Sequence, residues 1–86
     1  MDTSIEPQIV AILKTIRPET DFSASQDFVA DGLLDSFDLV SLVSEIDEKF
    51  SISIEGTNIV PENFCNLRAI CALVGATLEK KNLRAL

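Results

Sequence analysis

The stretch Asp31-Gly-Leu-Leu-Asp-Ser-Phe-Asp38 holds the residues of this 86-residue chain that are best suited to chemistry. Ser36 stands at the predicted start of a helix, where free backbone N–H groups and the positive end of the helix dipole favour an attached anion. Asp35, directly before it, is a good N-cap for the same helix. The pattern therefore predicts a site where a phosphodiester on the Ser36 hydroxyl is well placed.

Other reactive groups are scarce. The chain has no histidine, so the common histidine-assisted serine and cysteine nucleophiles are unavailable, and we expect no enzyme activity from this chain alone. Cys65 and Cys71 are too few for a disulfide framework and make a poor zinc site without histidine. We expect both to pack structurally, with no bound metal, in a reducing cytoplasmic setting.

The charge balance restricts the partners. The net charge is -7, and the region from Glu19 to Glu62 holds eleven acids and Lys49 as its single base, a local charge of -10. Such a surface disfavours nucleic acid and anionic membranes and favours basic protein partners. The chain also lacks an N-terminal signal pattern and an apolar run of about 18 residues, so we expect no membrane insertion.

Three segments show the apolar period of a helix, each with a stripe about 100° wide facing a core. The first helix is predicted at roughly 4 to 16, opened by a capping box of Thr3 and Glu6 and ended by Pro18. Lys14 and Arg17 near its end are expected to complement the helix dipole. The stripe residues are Ile5, Ile9, Ile12, Leu13 and Ile16.

The second helix is predicted from Ser36 to Phe50, with Asp35 as N-cap and Leu34 and Leu39 as a hydrophobic staple. The third follows Asn66, another N-cap, and is expected to end near Lys80 or Lys81. The stripe of the second contains Leu39, Leu42, Val43, Ile46 and Phe50, and that of the third contains Leu67, Ile70, Cys71, Val74 and Leu78.

Two connections join these helices. Residues 19 to 34 form a long loop, anchored by Phe22, Phe28, Leu33 and Leu34. Residues 50 to 60 alternate as a strand does but have no partner strand, so they are interpreted as extended loop, followed by a short helical turn at 61 to 65. The expected fold is all-α, one domain over 1–86, with three main helices, one short helix and a long first loop.

This pattern resembles acyl carrier proteins and related discrete carriers such as D-alanyl carrier proteins. The resemblance rests on Asp35-Ser36-Phe37 with Gly32-Leu33-Leu34 before it and Asp38-Leu-Val-Ser-Leu-Val-Ser-Glu-Ile-Asp-Glu-Lys-Phe50 after it. It extends over nearly the whole chain, through the acidic balance, the long first loop and the Pro61-Glu-Asn-Phe64 turn.

The resemblance implies that a phosphopantetheinyl transferase attaches 4'-phosphopantetheine from coenzyme A to Ser36, beside the family's aspartate at Asp35. The terminal thiol then carries acyl or aminoacyl groups as thioesters, loaded by an activating ligase and used by downstream enzymes, on a protein expected to be a monomer. The implied partner surface comprises Phe37, Asp38, Val40, Ser44, Asp47 and Glu48. Phe37, where leucine is commoner, and the serines of the second helix favour a dedicated pathway as much as primary fatty acid synthesis.

Two alternatives belong to other classes. One is an unmodified acidic helical adaptor that docks a basic partner. The other is a calcium-binding helix-loop-helix, although Val29 at the third template position cannot ligate and Asp38 replaces the bidentate glutamate at the twelfth. The residues that fit the calcium template are Asp27, Asp31, Gly32, Leu34 and Asp35.

Overall fold

The computed structural model describes residues 5–85, with the side chains of Ala24 and of residues 82–85 left undescribed. In that part of the chain the structure is all-helical and contains no strand, as predicted. The three helices are α1 (Ile5–Ile16), α2 (Ser36–Phe50) and α3 (Leu67–Ala85), and three short 3-10 turns lie at Phe22–Ala24, Gly56–Asn58 and Pro61–Asn63. None of the described helices has the length and apolar character needed to cross a membrane.

Helix α1 forms where the sequence predicts it, and its apolar stripe is its buried face. Ile5, Ile9, Ile12 and Leu13 are buried, whereas Ile16 is half-buried at the edge of the core. The helix closes with a hydrogen bond from the Arg17 amide to the Leu13 carbonyl, directly before Pro18. Thr3 of the predicted capping box lies outside the described residues.

Helix α2 also has the predicted bounds, and it ends at a residue in an uncommon backbone conformation. Its buried residues are Leu39, Leu42, Val43 and Ile46. Ser51 adopts the left-handed region, with φ 55°, and donates its amide to the carbonyl of Asp47. This turn redirects the chain into the extended segment that follows.

The extended segment after α2 alternates between buried and exposed side chains, although it pairs with no strand in the described part of the chain. Ile52 and Ile54 are buried and Ser53 between them is exposed. Asp47 holds the segment because its carbonyl accepts from the Ile52 amide and its carboxylate from the Ile54 amide, both at 3.0 Å. The loop interpretation is confirmed, except that the 3-10 turn at Gly56–Asn58 was not predicted.

Helix α3 starts as predicted but continues beyond its expected end. The Asn66 side chain accepts from the Ala69 amide at 2.8 Å, as an N-cap does. The predicted end near Lys80 or Lys81 is wrong, since the helix runs to Ala85. Residues 79–85 contain no glycine or proline that stops a helix, and the Lys81 ammonium also donates to the Ser51 carbonyl, which ties this region to the end of α2.

The long first loop is ordered by a tight turn and an aromatic pair. Gly32 adopts φ 77°, a conformation that other residues rarely take, and the amides of Leu33 and Leu34 then both donate to the Phe28 carbonyl. The Phe22 and Phe28 rings pack edge to face, with their centroids 4.9 Å apart. The predicted anchors therefore pack against the core, and the turn delivers the chain to the start of α2.

Phe64 is the largest fully buried side chain, just after a 3-10 turn that is shorter than the predicted turn at 61–65. Phe64→Ala is expected to lower the free energy of unfolding by about 3 to 5 kcal/mol, because it leaves a cavity in the core to which all three helices contribute. Phe37→Ala is the matched control, since Phe37 is 81% exposed and its loss should cost less than about 0.5 kcal/mol. Urea denaturation followed by circular dichroism measures both, and equal losses would contradict this description of the core.

Candidate functional site

The start of α2 is fixed by two aspartates that cap each other. The Asp35 carboxylate accepts from the Asp38 amide at 2.9 Å, and the Asp38 carboxylate accepts from the Asp35 amide at 3.1 Å. This capping box sets the residue at which the loop becomes helix, and hence which residues of α2 face outward. The N-cap role predicted for Asp35 is confirmed.

Arg17 joins the end of α1 to this capping box. Its Nε and Nη2 both donate to Oδ2 of Asp38, at 3.0 and 2.6 Å, and its Nη2 lies 3.6 Å from Oδ2 of Asp35. Asp38 retains only 14% side-chain exposure, whereas Arg17 retains 41%. The contact is therefore a charge-assisted pair with one partner largely shielded from water and the other in contact with it.

The same contact explains the acidity of Asp38. The Arg17 guanidinium, bonded to the carboxylate, holds the pKa of Asp38 below its usual value, and the amide of Asp35 adds to this effect. Partial burial opposes the shift but does not outweigh it. Asp38 therefore stays ionised at neutral pH and keeps both of its roles, as a capping residue and as the partner of Arg17.

Ser36 lies in the first turn of α2 with its side chain exposed. The first backbone bond within the helix runs from the Leu39 amide to the Asp35 carbonyl, and the Asp38 amide is capped by the Asp35 side chain. The amides of Ser36 and Phe37 come earlier and have no partner within the helix. An anion attached to the Ser36 oxygen would therefore lie beside these amides, at the positive end of the helix dipole.

An apolar pair lies beside Ser36 on the outer face of α2. Phe37 is 81% exposed and Val40 is 64% exposed, and they are the only large hydrophobic side chains so exposed among the described residues. Ser44 and Glu48 are exposed one and two turns further along the same side. We call Phe37, Val40, Ser44 and Glu48 the outer face, and it contains four of the six residues of the implied partner surface.

The other two residues of that set have partners within the protein. Asp38 binds Arg17 and the Asp35 amide, and Asp47 accepts from the Ile54 amide. Both are half-buried. For Asp38 and Asp47 the geometry therefore does not favour the partner role that the resemblance implied.

The acids of the first loop also have local partners, and this does not favour the calcium alternative. The Asp27 carboxylate accepts from two amides of its own turn, and that of Asp31 accepts from the Ser25 hydroxyl. No helix longer than the 3-10 turn Phe22–Ala24 precedes this segment within the loop. Within the described part of the chain, no three metal-ligating side chains converge on one point.

The two cysteines are free and half-buried. Burial raises the pKa of Cys71, and the nearby Glu6 charge raises it further. The Cys65 thiol donates to the Glu62 carbonyl at 3.4 Å. Cys71 is therefore held as a thiol rather than the reactive thiolate, which agrees with the packing role predicted for it.

A groove at one side of the protein is lined by residues other than Ser36. It has a volume of about 980 Å³ and runs between the end of α1, the first loop and the start of α3, where Val10, Phe22 and Leu67 line it. A second groove of about 420 Å³ lies near Ser51. Ser36 lines neither of these two grooves, and its side chain is exposed.

Arg17 is the site residue that sequence reasoning missed. Its position near the end of a helix predicted a dipole role, whereas the structure brings it to Asp38, 21 residues further along the chain. Its place in the sequence, directly before Pro18, marks the end of α1 but does not specify a partner across the loop. Only the packing of α1 against α2 creates this contact.

No protein-family model, curated protein or solved structure matches the chain significantly. The resemblance to acyl carrier proteins therefore remains a prediction from the sequence motif, and the functional conclusion depends on the geometry at the start of α2.

The ion pair predicts an acid-sensitive contribution to stability. The folded-state pKa of Asp38 lies below its unfolded value of about 3.9, so the contribution is fully present above that value and is lost as the pH falls through the folded pKa. Asp38→Asn is expected to lower the free energy of unfolding at pH 7 by about 1 kcal/mol, a modest loss because Arg17 is screened by solvent.

Urea titrations from pH 7 to pH 2.5 measure this effect. The difference between wild type and Asp38→Asn should shrink below about pH 4 as the wild-type carboxylate takes up its proton. Glu48→Gln is the control, because Glu48 is exposed and its variant should track the wild type. A difference that stays constant down to pH 2.5 would contradict the ion-pair account.

Proposed function

We propose that the protein is a carrier of acyl-carrier-protein type, modified with 4'-phosphopantetheine on Ser36. The observation that carries this proposal is the exposed Ser36 hydroxyl in the first turn of α2, with the capping box of Asp35 and Asp38 around it and exposed Phe37 beside it. In this interpretation α1, α2 and α3 are the main helices of the carrier fold, and the turn Pro61–Asn63 takes the place of its short helix.

The residues present fit an attached phosphodiester. The Ser36 side chain is exposed, and the amides of Ser36 and Phe37 are free of bonds within the helix. The guanidinium of Arg17 supplies a positive charge close to Asp35, the neighbour of Ser36 in the chain. The exposure of Ser36 suits a group that other proteins must reach.

The role of Ser36 in the attachment is that of a nucleophile activated from outside. Its hydroxyl oxygen attacks the phosphorus of coenzyme A that bears the pantetheine, a Ser36 O–P bond forms, and adenosine 3',5'-bisphosphate leaves. The hydroxyl proton passes to a base of the transferase. When attached, the group supplies a terminal thiol that carries acyl or aminoacyl groups as thioesters.

The outer face of α2 is proposed as the surface that the transferase and the later enzymes bind. Phe37 and Val40 offer apolar contact next to the modified residue, and Glu48 offers a charge at the far end. The local charge of -10 between Glu19 and Glu62 would speed the encounter with basic partners in a salt-dependent manner. The same exposed pair also favours the unmodified adaptor, which the first experiment below distinguishes from a carrier.

Attachment is tested by intact mass after incubation with coenzyme A and a broad-specificity phosphopantetheinyl transferase. The wild type should gain the mass of one phosphopantetheine, about 340 Da from its composition, and Ser36→Ala should gain none because it lacks the nucleophilic oxygen. Ser53→Ala is the matched control, since Ser53 is equally an exposed serine but lies outside α2. A folded wild type that gains no mass, under conditions that modify a known carrier, favours the adaptor.

Docking is tested with Phe37→Ala and Val40→Ala in the same reaction. Each variant should lower the kcat/KM of the transferase about 5- to 10-fold, because the truncation removes apolar surface that would be buried in the complex. Val10→Ala is the control, since Val10 lies on α1 and lines the first groove, to which Phe37 and Val40 do not contribute. Unfolding midpoints close to wild type would show that the fold is intact, and unchanged kinetics in both variants would remove Phe37 and Val40 from the docking surface.

A further inference from the structure

The guanidinium of Arg17 has bonding capacity that the capping box does not use. Nε and Nη2 donate to Asp38, whereas Nη1 makes no hydrogen bond to any described residue. The side chain is 41% exposed, and Nη2 also lies 3.6 Å from Asp35, the residue directly before Ser36. Arg17 therefore combines a fixed position with N–H donors that no described residue occupies, next to the proposed modification site.

Modification of Ser36 would make the net charge at this point more negative. In the unmodified protein, Asp35 and Asp38 carry two negative charges and Arg17 carries one positive charge. A phosphodiester on Ser36 adds a third negative charge within the same helical turn. Among the described residues, no other base forms an ion pair with either aspartate, so the opposing charge at hand is that of Arg17.

We infer that Arg17 is a positioning residue for the phosphodiester on Ser36, holding the capping box from the end of α1 and offsetting the negative charge that modification adds. The inference rests on the proposed function, since it concerns the modified state. It assigns to α1 a part in the site that α2 alone does not supply. A planar guanidinium suits this task because it donates to one anion while keeping donors for a second.

Two roles for Arg17, a purely structural one and one that offsets the charge of the phosphodiester, lead to different expected results. If Arg17 only ties α1 to α2, its loss destabilises the unmodified and the modified protein equally. If Arg17 also offsets the phosphodiester, its loss destabilises the modified protein more. A thermodynamic cycle that combines modification with mutation therefore separates the two roles.

The experiment measures thermal unfolding midpoints of the unmodified and modified forms of wild type, Arg17→Gln and Lys14→Gln at low ionic strength, with modification checked by intact mass. Lys14→Gln removes the same charge from an exposed position of α1, where Lys14 forms no ion pair with a described residue. The compared quantity is the change in unfolding midpoint on modification. For Arg17→Gln this change should be about 2 to 5 °C more negative than for wild type. This additional decrease in the midpoint should shrink in about 0.5 M salt and be absent from Lys14→Gln.

A second measurement needs no variant, and it decides the matter if Arg17→Gln does not fold. In 15N-labelled wild type, the Arg17 Nε–H resonance should shift on modification, whereas that of Arg68, an exposed residue of α3, should stay in place. The inference about Arg17 is overturned if the Arg17 resonance does not move in the modified wild type. It is also overturned if modification changes the unfolding midpoint equally in Arg17→Gln and wild type. Either outcome leaves the proposed function in place. A wild type that takes up no phosphopantetheine overturns the proposed function, and this inference with it.

Discussion

The capping box at the start of α2 is the interaction on which the rest of the site depends. Because Asp35 and Asp38 bond reciprocally to each other's amides, the helix begins at one defined residue. A helix that began one residue later would still present the same stripe, but it would lose the cap that fixes Ser36 in the first turn. The cap thus places Ser36 and Phe37 outward while Leu39 enters the core.

The acidic residues of the chain divide into two groups with different tasks. Asp35, Asp38 and Asp47 are occupied with backbone amides, so they organise the two ends of α2. Glu45 and Glu48 are exposed on α2 and remain available to solvent and partners. All of these charges contribute to the long-range field, since a charge that accepts hydrogen bonds still acts at a distance. The specificity of a direct contact with a partner depends instead on the side chains that are exposed at the surface. Among these, Phe37 and Val40 are the large apolar ones.

Much of the fold could be predicted because each helix carries its own information. The stripes of α1 and α2 follow from residues within about four turns, and the N-caps Asp35 and Asn66 lie directly beside the helices they start. The helix α3 continues beyond its expected end near Lys80 or Lys81, because the charged residues after Leu78 leave the apolar stripe but are good helix formers.

The contacts that could not be predicted join distant parts of the chain. Arg17 meets Asp38 across the whole first loop, and this contact depends on how α1 packs on α2 and on the left-handed turn at Gly32. Asp47 reaches the Ile54 amide only because Ser51 turns the chain back. Periodicity shows which side of a helix faces the core, but it does not show which polar groups meet at the edge of that core.

These edge contacts explain how the site can be exposed and still well defined. An exposed hydroxyl on a mobile loop would present a partner with many orientations, and ordering it would cost conformational entropy at each encounter. Here the loop is anchored by Phe28, α1 is tied to α2 by Arg17, and α2 buries Leu42 and Ile46 completely. The first turn of α2 is therefore held from the core side, which leaves its outer side free for a partner without any loss of order.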